Sequence, residues 1–428
     1  MKKRGLSIIL GIALIIGTVC GCGSTKESTE NTVQVAEKSQ ETEKTKVTIS
    51  YWNSQETMEA LLDYLAEAVP SVEIEYQFID NTDYDSFIST QLSFGQALDI
   101  ICENPGSALK HAIGGYLVPL NELADNYAAT GTTIYSYEGD VYALPGISWF
   151  EGIWYNKAIF EENEVALPKT FDEFIAVAKT FQELGIMPLA AGLKSWEPML
   201  KNSMAFVTAE YLSTEEGREF GEKYRKGEVT LDGTWNVYLE KWSEMIAEGI
   251  YTEDMLKYEH TQALEQFATG QAAMFCSGPW DYEAIMAINP DLQLDMMPFY
   301  GTQPSEGWLI GGPGCGFALN EASKNKEAAW EVLKAISTYE GQAALWENNQ
   351  GGSSYLNETF FELPMAYTGV KETLAAGNVY CPWNEWGTAA GAHQKYGSEM
   401  QTYLIGVQDI SATLQHVDEE ASELRYNE

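Results

Sequence analysis

Three short segments constrain what this chain can fold into more than anything else in it. Val47, Ile49 and Tyr51 alternate with polar residues, the period of a half-buried strand. Met58, Leu61, Leu62, Leu65 and Val69 then recur at helical spacing, and Pro70 closes the run. Val72, Ile74, Tyr76 and Phe78 resume the alternation. Strand, helix, strand at this spacing is a βαβ unit, so its two strands are expected to run parallel. Asp99-Ile100-Ile101 reads as a further short buried strand, after a helix carrying Phe87, Ile88 and Leu92. Thr170-Phe171-Asp172-Glu173 is a capping box. It opens a helix whose core face is Phe171, Phe174, Ile175, Ala178 and Phe181, and Gly185 closes it. Another helix is expected over about 326–339, with Trp330, Leu333 and Ile336 inward. The class is α/β with mostly parallel sheets flanked by helices.

The first 21 residues read as a leader. Lys2, Lys3 and Arg4 precede an apolar run over 6–19, too short for a permanent span. Gly21 before Cys22 matches a bacterial lipoprotein cleavage box better than Val19 before Cys20. Cleavage there leaves Cys22 at the new N-terminus as the lipidation site. Two or more acyl chains anchor a protein stably. An ordinary secreted protein with an incidental cysteine is the alternative. Residues 22–46 then form a tether: Val33, Val35 and Ala36 are too few apolar residues for a core. These features place the protein outside the cytoplasm, held to the cell membrane by lipid.

From Val47 on, about 380 residues are long enough for two domains. The net charge of −38 becomes −41 once Lys2, Lys3 and Arg4 leave with the leader. Such a chain repels nucleic acid. It favours a neutral or cationic ligand, although solubility alone accounts for most of the charge. Cys102, Cys276, Cys315 and Cys381 lie far apart, without metal-ligand spacing. Cys102 and Cys276 sit in apolar runs, where buried free thiols are expected before bridges; pairing cannot be read from spacing.

Several motifs occur in a recognisable order. They are Gly114-Gly115-Tyr116-Leu117-Val118-Pro119-Leu120, Gly139-Asp140-Val141-Tyr142-Ala143-Leu144-Pro145, Tyr155-Asn156-Lys157 and Pro168-Lys169-Thr170-Phe171-Asp172-Glu173. Phe267-Ala268-Thr269-Gly270-Gln271-Ala272-Ala273-Met274 then precedes Gly278-Pro279-Trp280. Gly311-Gly312-Pro313-Gly314-Cys315-Gly316 is followed by Asn325-Lys326-Glu327-Ala328-Ala329-Trp330. The series, over about 47–345, resembles the family 1 extracellular solute-binding proteins, the sugar-binding subunits of ABC importers; the last eighty residues match less closely. The resemblance implies two α/β lobes of the periplasmic-binding-protein type, joined by three crossovers with a ligand cleft between them. Crossovers are expected near 145–152, 298–308 and 348–354. The first lobe would be 47–144 plus 309–347, and the second 145–308 plus 348–428. The resemblance also implies a monomer that hands a neutral carbohydrate to two membrane permease subunits driven by a cytoplasmic ATPase, without cofactor or metal.

Twelve Trp and 24 Tyr supply faces for sugar C–H surfaces, with carboxylates and amides beside them for hydroxyls. Trp280-Asp281 pairs one stacker with one carboxylate, and the resemblance places this Trp in the cleft. A core Trp with a turn-capping Asp is the competing role. Asn53 and Ser54 end the first strand, at the edge where such folds bind ligands. Asn53 to Glu56 is equally a helix-capping pattern. Glu103 and Asn104 stand at the same edge one strand over, or in an ordinary turn. Trp149 and Glu151 flank the first crossover, where Trp149 could instead pack between lobes. Trp196-Glu197 lies in an expected loop after a strand. Trp308, Gly311 and Gly312 either bring backbone close to the ligand or form a hinge. Trp383-Asn384-Glu385-Trp386 is the densest sugar-like cluster.

No catalytic residue is assigned. Carboxylate pairs carry no meaning among 63 acids without geometry. His111, His260, His393 and His416 lack metalloprotease spacing, and there is no GxSxG elbow or phosphate loop. A secreted carbohydrate-active enzyme, and a ligand-sensing partner of a membrane receptor, are the competing functions. Polyamines or other cations are the lesser ligand option.

Overall fold

A computed structural model describes residues 44–347, 352–359, 361 and 365–426. Cys22, the leader and nearly all of the tether lie outside the described residues. The first strand already begins at Thr45, so Thr45 and Lys46 belong to it and not to the expected tether. No helix among the described residues is long and apolar enough to cross a membrane.

The βαβ expectation holds. Strand Thr45–Tyr51 lies parallel to both Val72–Phe78 and Ile100–Glu103, with Ile49 opposite Tyr76 on one side and Ile100 on the other. The intervening helix is Glu59–Ala68, burying Leu61 and Leu65. Strand Gly316–Leu319 then joins antiparallel beside Ile100–Glu103, and Ala143–Pro145 completes this five-stranded sheet. The second sheet is built around Ser148–Asn156. One edge of that strand pairs with Leu309–Pro313 and then Leu294–Met297, the other with Ala272–Ser277. Val379–Tyr380 and Met187–Ala190 flank the sheet in parallel. Both sheets are therefore mixed rather than mostly parallel, because strands entering from a crossover run against their neighbours.

Each sheet has its own core. Val47, Ile49, Leu65, Ile88, Ile101, Phe317 and Leu333 fill the first. Phe171, Phe181, Leu200, Trp235, Trp242 and Tyr396 fill the second. Helix Phe171–Glu183 has its five predicted inward residues buried, and Thr170 Oγ1 caps it by accepting from Glu173 N–H. The Glu173 carboxylate accepts from Lys169 N–H instead of closing the box. The helix expected over 326–339 ends earlier, as Lys326–Ile336, and Trp330 is only half-buried.

The chain passes between the sheets at Gly146–Ile147 and at Gly314–Cys315, and Ser354 bridges Ile147 beside the first passage, while Tyr355 and Leu356 still pack on the first core. The second passage was expected at 298–308. It falls later because Leu309–Pro313, assigned to the first lobe from sequence, pairs in the second sheet. The passages lie side by side. Gly146 N–H donates to the Cys315 carbonyl at 2.8 Å, and Ser148 N–H to the Ser353 carbonyl at 2.9 Å. A Cβ at Gly352 would stand 2.3 Å from the Ser148 carbonyl, so only glycine allows this approach.

Cys102 and Cys315 form a disulfide across a sequence separation of 213, against the expectation of free thiols. Strand register explains it: Phe317 lies opposite Cys102, which leaves the two Cα atoms 5.9 Å apart, within bridging range. Cys276 and Cys381 are buried and free. Replacing both bridged cysteines by serine should destabilise the protein by about 2–5 kcal/mol in urea unfolding. Reductant added to the wild type should reproduce that loss.

Candidate functional site

Strand direction collects the tryptophans. In the second sheet, Ala272–Ser277, Met187–Ala190 and Val379–Tyr380 end at one edge, and the antiparallel Ser148–Asn156 begins there. Trp280, Trp196 and Trp383 follow the three ends, and Trp149 stands at the beginning. The same edge leads into the crossovers, where strand ends of open α/β sheets meet ligands.

The rings form a continuous row. Trp280 and Trp149 have centroids 6.3 Å apart, and Trp149 and Trp383 also 6.3 Å. His393 stacks on Trp383 at 5.6 Å with planes 12° apart, and meets the edge of Trp196 at 5.2 Å. Trp280 keeps 48% of its surface exposed. Gly314 makes room for Trp149, whose Cδ1 lies 2.5 Å from where a Cβ would stand.

Behind the row sits a charged cluster. Lys201 Nζ lies 3.0 Å from Glu151 Oε2 and 2.7 Å from Glu197 Oε2. It also stands 5.5 Å from the Trp149 ring centre and 5.3 Å from that of Trp280, within cation–π range. Burial pushes the Glu151 carboxyl up, and Lys201 draws it back. Glu197 is held below the usual carboxylate range by Lys201. Burial opposes charge on Lys201, but the two carboxylates raise it above its ordinary value. Next to Trp280, Asp281 accepts from Ser277 Oγ and lies 2.7 Å from His260 Nε2. Burial draws His260 down, yet Asp281 holds it above the ordinary histidine value. Burial lowers His393. From the first sheet's side, the Asp85 carboxylate accepts both 2.9 Å bonds from Asn104 Nδ2 and acts electrostatically on His393.

Trp149, Glu151, Trp196, Glu197, Trp280, Asp281 and Trp383 are thus brought together as the sequence suggested. Trp196 and Glu197 stand at the start of helix Glu197–Val207 rather than in a loop. Other expectations are corrected. Trp386 is fully buried against Tyr224 and Trp235. Trp308 precedes its strand, so it lies at the opposite edge of the sheet from the row. Gly311 serves strand packing: a Cβ there would lie 2.1 Å from the Trp149 carbonyl. Gly312 lies beside Cys381 and the Asn384 amide, and that amide binds the Pro313 carbonyl at 3.3 Å. Glu385 accepts from Tyr380 Oη at 2.7 Å and lies over Gly221, so it belongs to local packing. Glu103 is buried and lies 2.8 Å from His111 Nδ1. Asn104 caps helix Pro105–Ile113. Ser54 Oγ accepts from Thr57 N–H in a turn before the first helix, and the Asn53 carbonyl accepts from Tyr76 Oη. That helix starts only at Glu59, so the Asn53 capping box does not form.

Sequence reasoning missed Lys201, His260, His393 and Asp85. Lys201 alone carried a signal, its i,i+4 spacing from Glu197.

Residues 51–343 match the family model described as bacterial extracellular solute-binding protein. The chain belongs to that family. It is 22% identical over 348 residues to the multiple sugar-binding protein of Streptococcus mutans, covering 79% of each chain. It is 21% identical over 432 residues to the melibiose/raffinose/stachyose-binding protein MelE of Bacillus subtilis, covering 95% of each. Among solved structures, apo RafE from Streptococcus pneumoniae superposes with a TM-score of 0.71 at 16% identity, over 90% of this chain and 98% of that one. This likeness places the fold with the two-lobed solute-binding proteins.

Proposed function

We propose that this protein captures a neutral oligosaccharide outside the cytoplasm and delivers it unaltered to an ABC import permease. The observation that carries the reading is the row Trp280, Trp149, Trp383 and His393 along one strand-end edge beside the crossovers. Successive aromatic faces suit successive sugar rings, and a single small solute would not need so long a platform. Relatives named for multiple sugars and for melibiose, raffinose and stachyose support the ligand class. Glu151 and Glu197 hold Lys201 beside the rings and are both engaged by it, which favours holding over proton transfer.

The three crossovers act as the hinge, and the lobes, 44–145 with 316–347 and 148–313 with the C-terminal segment, close on the sugar. Lipid on Cys22 holds the protein at the membrane beside its permease, and the protein works as a monomer.

The test is thermal unfolding against raffinose, stachyose, maltotriose and xylotriose. Ligand at ~100 times its Kd adds about 2.7 kcal/mol, a rise of several degrees. A rise with the sugar recovered intact is expected. Sugar breakdown would replace the receptor with an enzyme, and a response to polyamines alone would sink the carbohydrate reading.

A further inference from the structure

Lys201 is a largely buried cation directly behind the tryptophan row. Its ammonium touches the faces of two tryptophans, one of them half exposed, yet it is already bound to two carboxylates. A lone ammonium at this position would offer a charge-assisted bond to an acidic sugar, roughly twice as strong as a neutral one. One carboxylate would cancel that charge. Two leave the cluster at −1, and Asp85 acts on the same row from the first sheet's side. His260 is engaged by Asp281, and burial keeps His393 from supplying a counter-charge.

The two carboxylates are not equivalent. Glu151 belongs to the central strand with its side chain 4% exposed, and it is the partner that burying Lys201 requires. Glu197 stands in the first helical turn with its side chain 35% exposed. The cluster is neutral without it, so Glu197 is surplus to compensating Lys201.

We propose that Glu197 is a specificity-determining residue: by masking Lys201 beneath the Trp149–Trp280 pair, it makes the site accept uncharged sugars and reject sugars that carry a carboxylate. The proposal rests on the reading that this site binds carbohydrate. Rejection of this kind works by placing an unfavourable charge against the wrong ligand, not by improving contacts to the right one.

The test is calorimetric titration of the full chain with raffinose, maltotriose and xylotriose as neutral trisaccharides, and with trigalacturonate as the acidic probe. The wild type should prefer its best neutral trisaccharide to trigalacturonate by at least 30-fold. Glu197→Gln should narrow that ratio about tenfold, and adding Lys201→Met should abolish the gain. Should Glu197→Gln fail to fold, the wild type is titrated at low and high salt. Screening should then narrow the ratio without any substitution. Wild-type affinity for trigalacturonate equal to that for the best neutral sugar overturns the inference alone. So does a ratio unmoved by Glu197→Gln or, in its place, by salt. Binding of none of the neutral trisaccharides overturns the carbohydrate reading itself.

Discussion

Replacing Trp280 by alanine should weaken oligosaccharide capture about 30- to 700-fold and leave thermal stability nearly unchanged. A central aromatic anchor is worth about 2–4 kcal/mol of binding, and 1.4 kcal/mol is tenfold. The fold has little stake in this ring, which is 48% exposed and follows the strand Ala272–Ser277 rather than filling a core. It rests over Gly278, where a Cβ would stand 2.1 Å from the indole. Gly278→Ala should therefore tilt the indole and weaken binding in the same direction, while Trp280→Phe keeps part of the stacking face and part of the affinity. Calorimetry gives the affinities and thermal unfolding the stability. Unchanged affinity in Trp280→Ala would remove the ring row as the binding platform.

Why Trp280 was readable while Trp386 was misread follows from what a sequence encodes. A tryptophan just past a buried strand is placed at a sheet edge by the strand's own direction. Trp196 and Trp383 also follow strands that end there, Trp149 opens a strand at the same edge, and all four converge. Trp386 lies three residues after Trp383, and no local pattern says that the turn between them has carried it inward. Its burial depends on Tyr224 and Trp235, more than 150 residues earlier. Lys201 and His393 were hidden for the same reason. Their partners come from the central strand and from the segment after Val379–Tyr380, so their roles exist only in the assembled sheet.

The fold was legible wherever local period and local burial agree. Val47, Ile49 and Tyr51 announce a strand because one face is core, and Phe171–Glu183 announces a helix because its apolar stripe and cap coincide. Strand pairing was not legible. Leu309–Pro313 is apolar enough for either sheet, and only the space beside Ser148–Asn156 decides, which moves the second crossover to Gly314–Cys315. The same long-range register joins Cys102 to Cys315. Apolar surroundings argued for free thiols there, and neither sequence neighbourhood contains the other cysteine.

Trp386→Ala should give the opposite phenotype to Trp280→Ala: a loss of about 3–5 kcal/mol in folding stability, measured by urea unfolding. The side chain is completely buried, with the Tyr224 ring 4.8 Å and the Trp235 ring 6.1 Å from it, so alanine leaves a cavity that neighbouring helices cannot fill. Trp386→Phe should cost less than half as much. Phenylalanine refills most of the volume, and the indole N–H it removes has no hydrogen-bond partner among the described residues, so no bond is lost with it. The pair of variants separates packing from ligand contact. A Trp386→Ala protein that keeps wild-type stability but loses sugar affinity would return this residue to the binding site. A protein that melts early and, where folded, still binds would fix Trp386 as the support beneath the turn that presents Trp383.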